Sequence, residues 1–151
     1  MSRALLILLV VLGLASCRPS DGKNDLLPLV STSDSAVVLY YREPGEPRFF
    51  RISKVYKTGF IDQVAQAVNR RAVAGKATCI TQGKIHFYRS GGAVETIYFS
   101  RADSCRSLSF IKTGEKYVTQ MPTMVLDSLN QFEKRAVSLS SGDSTANKGN
   151  Q

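Results

Sequence analysis

The sequence predicts an α+β domain, an antiparallel sheet of about five to seven strands in the order ββαβββββα with two helices packed on one face. Three observations lead there. Residues 36–137 hold short β-branched and aromatic runs separated by glycine-bearing turns, two stretches instead repeat their apolar residues at helical spacing, and the helical stretches come third and last in the order. Two helices with one apolar stripe each cover one sheet face and leave the second to solvent or to a partner.

The first two strands are residues 36–42 and 48–55, joined by Glu43-Pro44-Gly45-Glu46, where proline then glycine suits a type II turn. That turn sets Leu39 opposite Phe50 and Val37 opposite Ile52, and sends Val38, Tyr40, Phe49 and Arg51 to the other face. Thr58 is a candidate N-cap for a helix over 59–72. Phe60, Ile61, Val64, Ala65 and Val68 lie on one side, Asp62, Gln63, Gln66, Asn69 and Arg70 on the other, and Gly75 closes it.

Residues 76–110 organise the rest of the domain. Thr81-Gln82-Gly83 reads as a three-residue hairpin loop with glycine at the left-handed position, which places Cys79 opposite Ile85 and Ala77 opposite Phe87. A second loop at Gly91-Gly92-Ala93 pairs Phe87 with Ile97, Ile85 with Phe99, and Arg89 with Glu95. One face of this meander is then Ala77, Cys79, Ile85, Phe87, Ile97 and Phe99, a core face, while His86, Tyr88, Thr96 and Tyr98 occupy the other. A further hairpin over 106–111 and 116–121 turns at Thr113-Gly114 and sets Phe110 beside Tyr117. Pro122 opens the last helix, where a missing N–H is harmless, and Val125, Leu126, Leu129, Phe132 and Ala136 form its stripe. Residues 138–151 are too polar to bury anything and are expected to be disordered.

The chain begins outside any fold. Arg3, an apolar run over 4–14 and small residues before Cys17 read as a secretory leader, too short to span a bilayer as a mature helix. Leu14-Ala15-Ser16-Cys17 resembles the lipobox of bacterial lipoproteins. The resemblance covers the first 17 residues only, and it implies a signal peptide over 1–16, cleavage before Cys17, acylation of Cys17 and a membrane anchor. The other reading is an ordinary secreted protein cut near Ser16. In that family an aspartate after the cysteine favours the inner membrane, so Arg18 implies the outer one, with the domain facing the periplasm or the cell surface. Residues 17–35, rich in Ser, Asp, Pro, Gly and Asn around the apolar island 26–30, read as a flexible tether with a span of roughly 23 Å.

With Cys17 lipidated, Cys79 and Cys105 are left as an even pair in an oxidising compartment and are expected to form a disulfide. The alternative is two buried thiols that pack as small hydrophobes.

Catalytic chemistry finds little support. His86 is the only histidine, placed by the predicted register beside Tyr98 on the outer face without a neighbouring carboxylate or cysteine. No phosphate-binding glycine loop and no paired carboxylates occur, so neither cofactor nor metal is expected. Charge says more: from Arg42 to Arg135 there are sixteen Lys or Arg against eight Asp or Glu, an excess that either draws the domain to an anionic surface or keeps it soluble. Nucleic acid is disfavoured by the compartment. The expected function is a non-enzymatic binding or adaptor module of the cell envelope. Its candidate face is Tyr40, Phe49, Arg51, His86, Tyr88 and Tyr98, and its partner an envelope protein or an anionic envelope component. Two other readings stand beside it. The tether or the second helix covers those rings, or the protein is an envelope enzyme whose acids, among Asp62, Glu95, Asp103 and Asp127, converge on a pocket.

Overall fold

The computed structural model describes residues 30–56, 59–70, 73–74, 78–92 and 94–138. The leader, Cys17 and the tether to residue 29 lie outside them, as do Thr58, residues 71–72, Gly75, Ala77, Ala93 and the tail beyond 138. In chain order the elements are β1 (Ser35–Glu43), β2 (Glu46–Tyr56), α1 (Gly59–Val68), β3 (Val73–Ala74), β4 (Gly83–Tyr88), β5 (Val94–Ser100), β6 (Ser107–Lys112), β7 (Glu115–Gln120), α2 (Thr123–Lys134) and β8 (Val137–Ser138). A single 3-10 turn, Asp103–Cys105, links β5 to β6. The strands form one antiparallel sheet in the order β3-β7-β6-β5-β4-β1-β2-β8. The α+β class, the ββαβββββα order and the two helices on one face are as the sequence predicts, with β3 at Val73–Ala74 in place of the strand expected just before Thr81 and the two-residue β8 added at the end.

Alternation along the strands builds the core. Ala36, Val38 and Tyr40 of β1, Ile85 and Phe87 of β4, Ile97 and Phe99 of β5, and Leu108 and Phe110 of β6 share the face under the helices and are all buried. Against them lie Phe60, Ile61, Val64, Ala65, Ala67 and Val68 of α1 and Val125 and Leu129 of α2. Each large apolar side chain so buried contributes about 1.5–3 kcal/mol, which makes this layer the main source of stability. Directional contacts fix the helices in place. Phe60 meets Phe132 edge to face at 5.0 Å, the Thr119 hydroxyl donates to the Ala67 carbonyl at 3.0 Å, and the Tyr40 hydroxyl donates to the Leu129 carbonyl at 2.8 Å. Arg51 and Arg101 converge on Glu133 at 2.8 and 2.5 Å and tie the end of α2 to the sheet.

The β6–β7 hairpin has the predicted register. Phe110 pairs with Tyr117 and the two rings stack at 5.4 Å. Thr113 and Gly114 both take positive φ, 50° and 83°, the conformation that matches the right-handed twist of the flanking strands. At the other hairpin Gly45 has the positive φ of 82° that a type II turn requires, and Glu43 pairs with Glu46. The register then slips by two residues between Tyr41 and Glu43, so Leu39 lies opposite Ile52 and Tyr41 opposite Phe50. A slip of two preserves which residues share a face; the helices, however, cover the face of Val38, Tyr40 and Arg51.

Five other expectations are corrected. Residues 78–82 form no strand and no hairpin with β4: Ile85 lies between Val38 and Ile97, so Cys79 has no place opposite it. Gly83 is not in a left-handed turn. It is the first residue of β4, where an added Cβ would stand 2.3 Å from both the Leu39 carbonyl and the Phe99 ring, so close packing demands glycine there. The β4–β5 register is also two residues from the predicted one, pairing Ile85 with Ile97, Phe87 with Glu95 and His86 with Thr96. The helix predicted over 59–72 ends at Val68, and Pro122 is the N-cap of α2, its carbonyl accepting from Val125 and Leu126, both at 3.1 Å.

Candidate binding face

Strand order decides what covers the sheet's other face. β3 sits at one edge and β4 in the middle, so the chain between them must pass β7, β6 and β5 on its way back. Its last part, Thr78 to Gln82, crosses the outer face at the β5–β6 end. Cys79 is bonded there to Cys105, with a Cα–Cα distance of 5.6 Å, within the range a disulfide spans. The outward residues beneath are small: Ser100, Ser107 and Ser109 are all buried, and the space they share with Cys79, Thr81, Lys116 and Val118 has no room for a water molecule. Backbone bonds finish the seam, from Gln82 N–H to the Phe99 carbonyl at 2.9 Å and from Gly45 N–H to the Thr81 carbonyl at 2.7 Å.

The remaining half of the outer face, over β2, β1, β4 and the near side of β5, carries different residues. Val37, Leu39 and Tyr41 alternate along β1, Phe50, Ile52 and Lys54 along β2, Lys84, His86 and Tyr88 along β4, and Thr96 and Tyr98 along β5. No carboxylate lies among these positions, and the two cations stand among aromatic and branched side chains. Leu39 is 8 % exposed although no helix lies over it; Tyr88, at 37 %, is open. Tyr41 and Tyr98 lie close enough that partial burial, then their mutual influence, raises the Tyr41 pKa. His86 Nδ1 is 2.9 Å from the Thr96 hydroxyl, and burial together with Lys84 lowers its pKa, so the ring is neutral at pH 7.

The six residues expected to share one face divide. His86, Tyr88 and Tyr98 lie on the open outer half, with Thr96 rather than Tyr98 opposite His86. Tyr40 does not: it is fully buried under α2, its pKa raised by burial, with the Arg101 guanidinium over its ring at 5.3 Å. Arg51 is likewise on the helix side, bound to Glu133. Phe49 is 63 % exposed and sits at the β1–β2 tip with Arg42, Arg48 and Phe50. In place of Tyr40 and Arg51 the open half holds Leu39, Tyr41, Phe50, Ile52, Lys54 and Lys84. The sequence does not distinguish these, because residues 36–41 are apolar at every position and a strand apolar on both sides gives no sign of which face is covered.

The four candidate acids stay apart. Asp62 and Asp127 are exposed on α1 and α2, Asp103 pairs with Arg106, and Glu95 is half-buried beside Phe87, its pKa raised by burial and partly offset by Lys112. None of them lines the cavities at the seam, the hairpin tip or the β2 edge. Among the described residues no three His, Cys, Asp or Glu side chains come together as a metal site, and no helix is long and apolar enough to cross a membrane.

Fold and surface together define a disulfide-stapled, two-layer α+β domain in which the described residues leave half of the outer sheet face uncovered. Comparison with protein-family models, curated proteins and solved structures finds no match to the chain.

Proposed function

We propose that this chain is an exported, lipid-anchored lipoprotein whose stapled domain works as a binding module in the cell envelope. Cys17 carries the lipid, and the open half of the outer face engages a partner protein that presents acidic groups. One observation carries the binding role. The strands left open bear Val37, Leu39, Tyr41, Phe50, Ile52 and Tyr98 with Lys54 and Lys84 and no carboxylate at the paired outward positions, whereas the patch under residues 78–82 bears Ser100, Ser107 and Ser109. Aromatic and other large apolar residues are the composition of an interface core, charges belong to its rim, and a sheet face meant for water is mostly polar. The lipobox resemblance and the even cysteine pair support an oxidising compartment outside the cytosol. Arg18 after the cysteine favours the outer membrane within the same proposal.

Photo-crosslinking amino acids placed at Tyr41 and Tyr98 in the native envelope should trap one and the same partner. The same group at Met124, 61 % exposed on α2, should trap nothing. Equal products at all three positions, or none at Tyr41 and Tyr98, would defeat the assignment of this face. Cys17→Ser should move the protein from the membrane to the soluble fraction.

A further inference from the structure

The β2 edge of the sheet carries a slot that the described residues leave unfilled. Ile52 to Tyr56 line it from the strand, Ser53 and Lys54 among them, with Phe132 and Arg135 from the end of α2, and it is an open groove of about 440 Å³. β8 pairs only with Arg51 and Ile52, so the backbone from Ser53 to Tyr56 has no strand partner on this side among the described residues. Phe132 turns one side to Phe60 in the core, and the Arg135 guanidinium lies over its ring at 5.7 Å. An apolar slot beside an unpaired edge accepts an extended segment, which gains main-chain hydrogen bonds from the edge and seats alternate side chains in the slot.

We infer that the occupant is the chain's own segment just ahead of the domain, Leu26-Leu27-Pro28-Leu29, laid along β2. The chain enters the domain at the right place. Val30 is fully buried with the core, and Ser35, five residues on, pairs with Tyr56, so the point where the chain enters the described domain is within a few residues' reach of the end of β2. Four extended residues reach roughly 13 Å. The segment also has the right chemistry. It contains the only leucines of the otherwise polar stretch 18–35, and Pro28, which lacks an N–H, is tolerated on an edge strand and not inside a sheet. Asp25 precedes it, while Lys54 and Arg135 are the cations at the slot; among the described residues Arg135 has no carboxylate partner. A docked segment leaves only residues 18–25 free, a span of roughly 16 Å in place of 23 Å. That consequence for the distance to the membrane rests on the lipid-anchor proposal; the docking does not.

Hydrogen exchange on the full chain at several concentrations tests the inference. The Leu26, Leu27 and Leu29 amides should exchange at least tenfold more slowly than in a free chain. Tyr56→Ser, at a position 71 % exposed and therefore tolerant, should return them to free-chain rates. The triple change Leu26→Ser, Leu27→Ser and Leu29→Ser should in turn speed exchange at Val55 and Tyr56. Free-chain rates in the unaltered protein overturn the inference and leave the slot to an outside partner. Protection that Tyr56→Ser leaves untouched also overturns it. Protection that grows with protein concentration gives the slot to a second copy's segment and overturns the intramolecular form.

Discussion

Where β5 ends and β6 begins the outer face carries Ser100, Ser107 and Ser109, with Lys116 and Val118 of β7 beside them, and lies under residues 78–82. Over β2, β1 and β4 it is lined by Leu39, Tyr41, Ile52, Phe50 and Tyr88, with no described segment across it. This reverses the common arrangement, in which the covered surface is apolar and the open one polar. The reason is geometric on the covered side: an irregular segment brings its own backbone groups onto the sheet, and only small side chains let it approach while the disulfide holds it there. On the open side the same reasoning leads outward, because residues that gain from burial stand where the described residues lay no segment across them.

The comparison breaks most severely at the staple. Cys79→Ser combined with Cys105→Ser should lower stability by about 3.5 kcal/mol in the chain-entropy view of a 26-residue separation, read as a shift of the denaturation midpoint. Amide exchange should rise at Gln82 and around Ser107 and Ser109 while the β1–β4 ladder keeps its protection. A uniform loss across both halves would mean that the staple supports the whole domain and that the two halves are not separately held.

Next in size is the point where the halves meet. Gly83→Ala forces a Cβ against the Leu39 carbonyl and the Phe99 ring and should cost about 1–3 kcal/mol by overpacking, against a few tenths for Gly91→Ala, whose Cβ would meet nothing within 4 Å. If the two variants unfold at the same denaturant concentration, the close approach at Gly83 is not what fixes the β4 entry.

Gly83 also marks where the sequence stops being legible. Thr81-Gln82-Gly83 has the composition of a hairpin loop, and local composition cannot distinguish a glycine needed for positive φ from one needed because a ring on the next strand, Phe99, occupies its side-chain space. β1 raises a related difficulty, since 36–41 has no polar position to set its phase, and only pairing with β4 decides that Tyr40 turns inward to Leu129 and Tyr41 outward to Tyr98. Where local signals agree, they suffice. The Thr113-Gly114 turn, the Phe110–Tyr117 pair and the stripes of α1 and α2 are all readable, because each depends on residues within one hairpin or one helix. The disulfide lies between these cases: its cysteines are evident from their number, but the segment they pin is evident only from the strand order.

The smallest effect separates the two faces by pH. Glu133 lies on the helix side, where the Arg101 hydrogen bond lowers its pKa below the ordinary 4.5. The carboxylate therefore stabilises the fold at neutral pH, and that contribution is lost as pH falls below about 4.5 and through the lowered folded value. His86 lies on the open face with its pKa lowered from 6.5, so the fold resists its protonation and stability declines as pH falls from about 6.5 toward that lowered value. Each contribution is under about 1 kcal/mol for groups partly open to water. Urea midpoints measured from pH 8 to pH 3 should then show two limbs. Glu133→Gln should flatten the lower limb alone and His86→Gln the upper limb alone; a variant that flattens both would show that the two faces titrate as one unit.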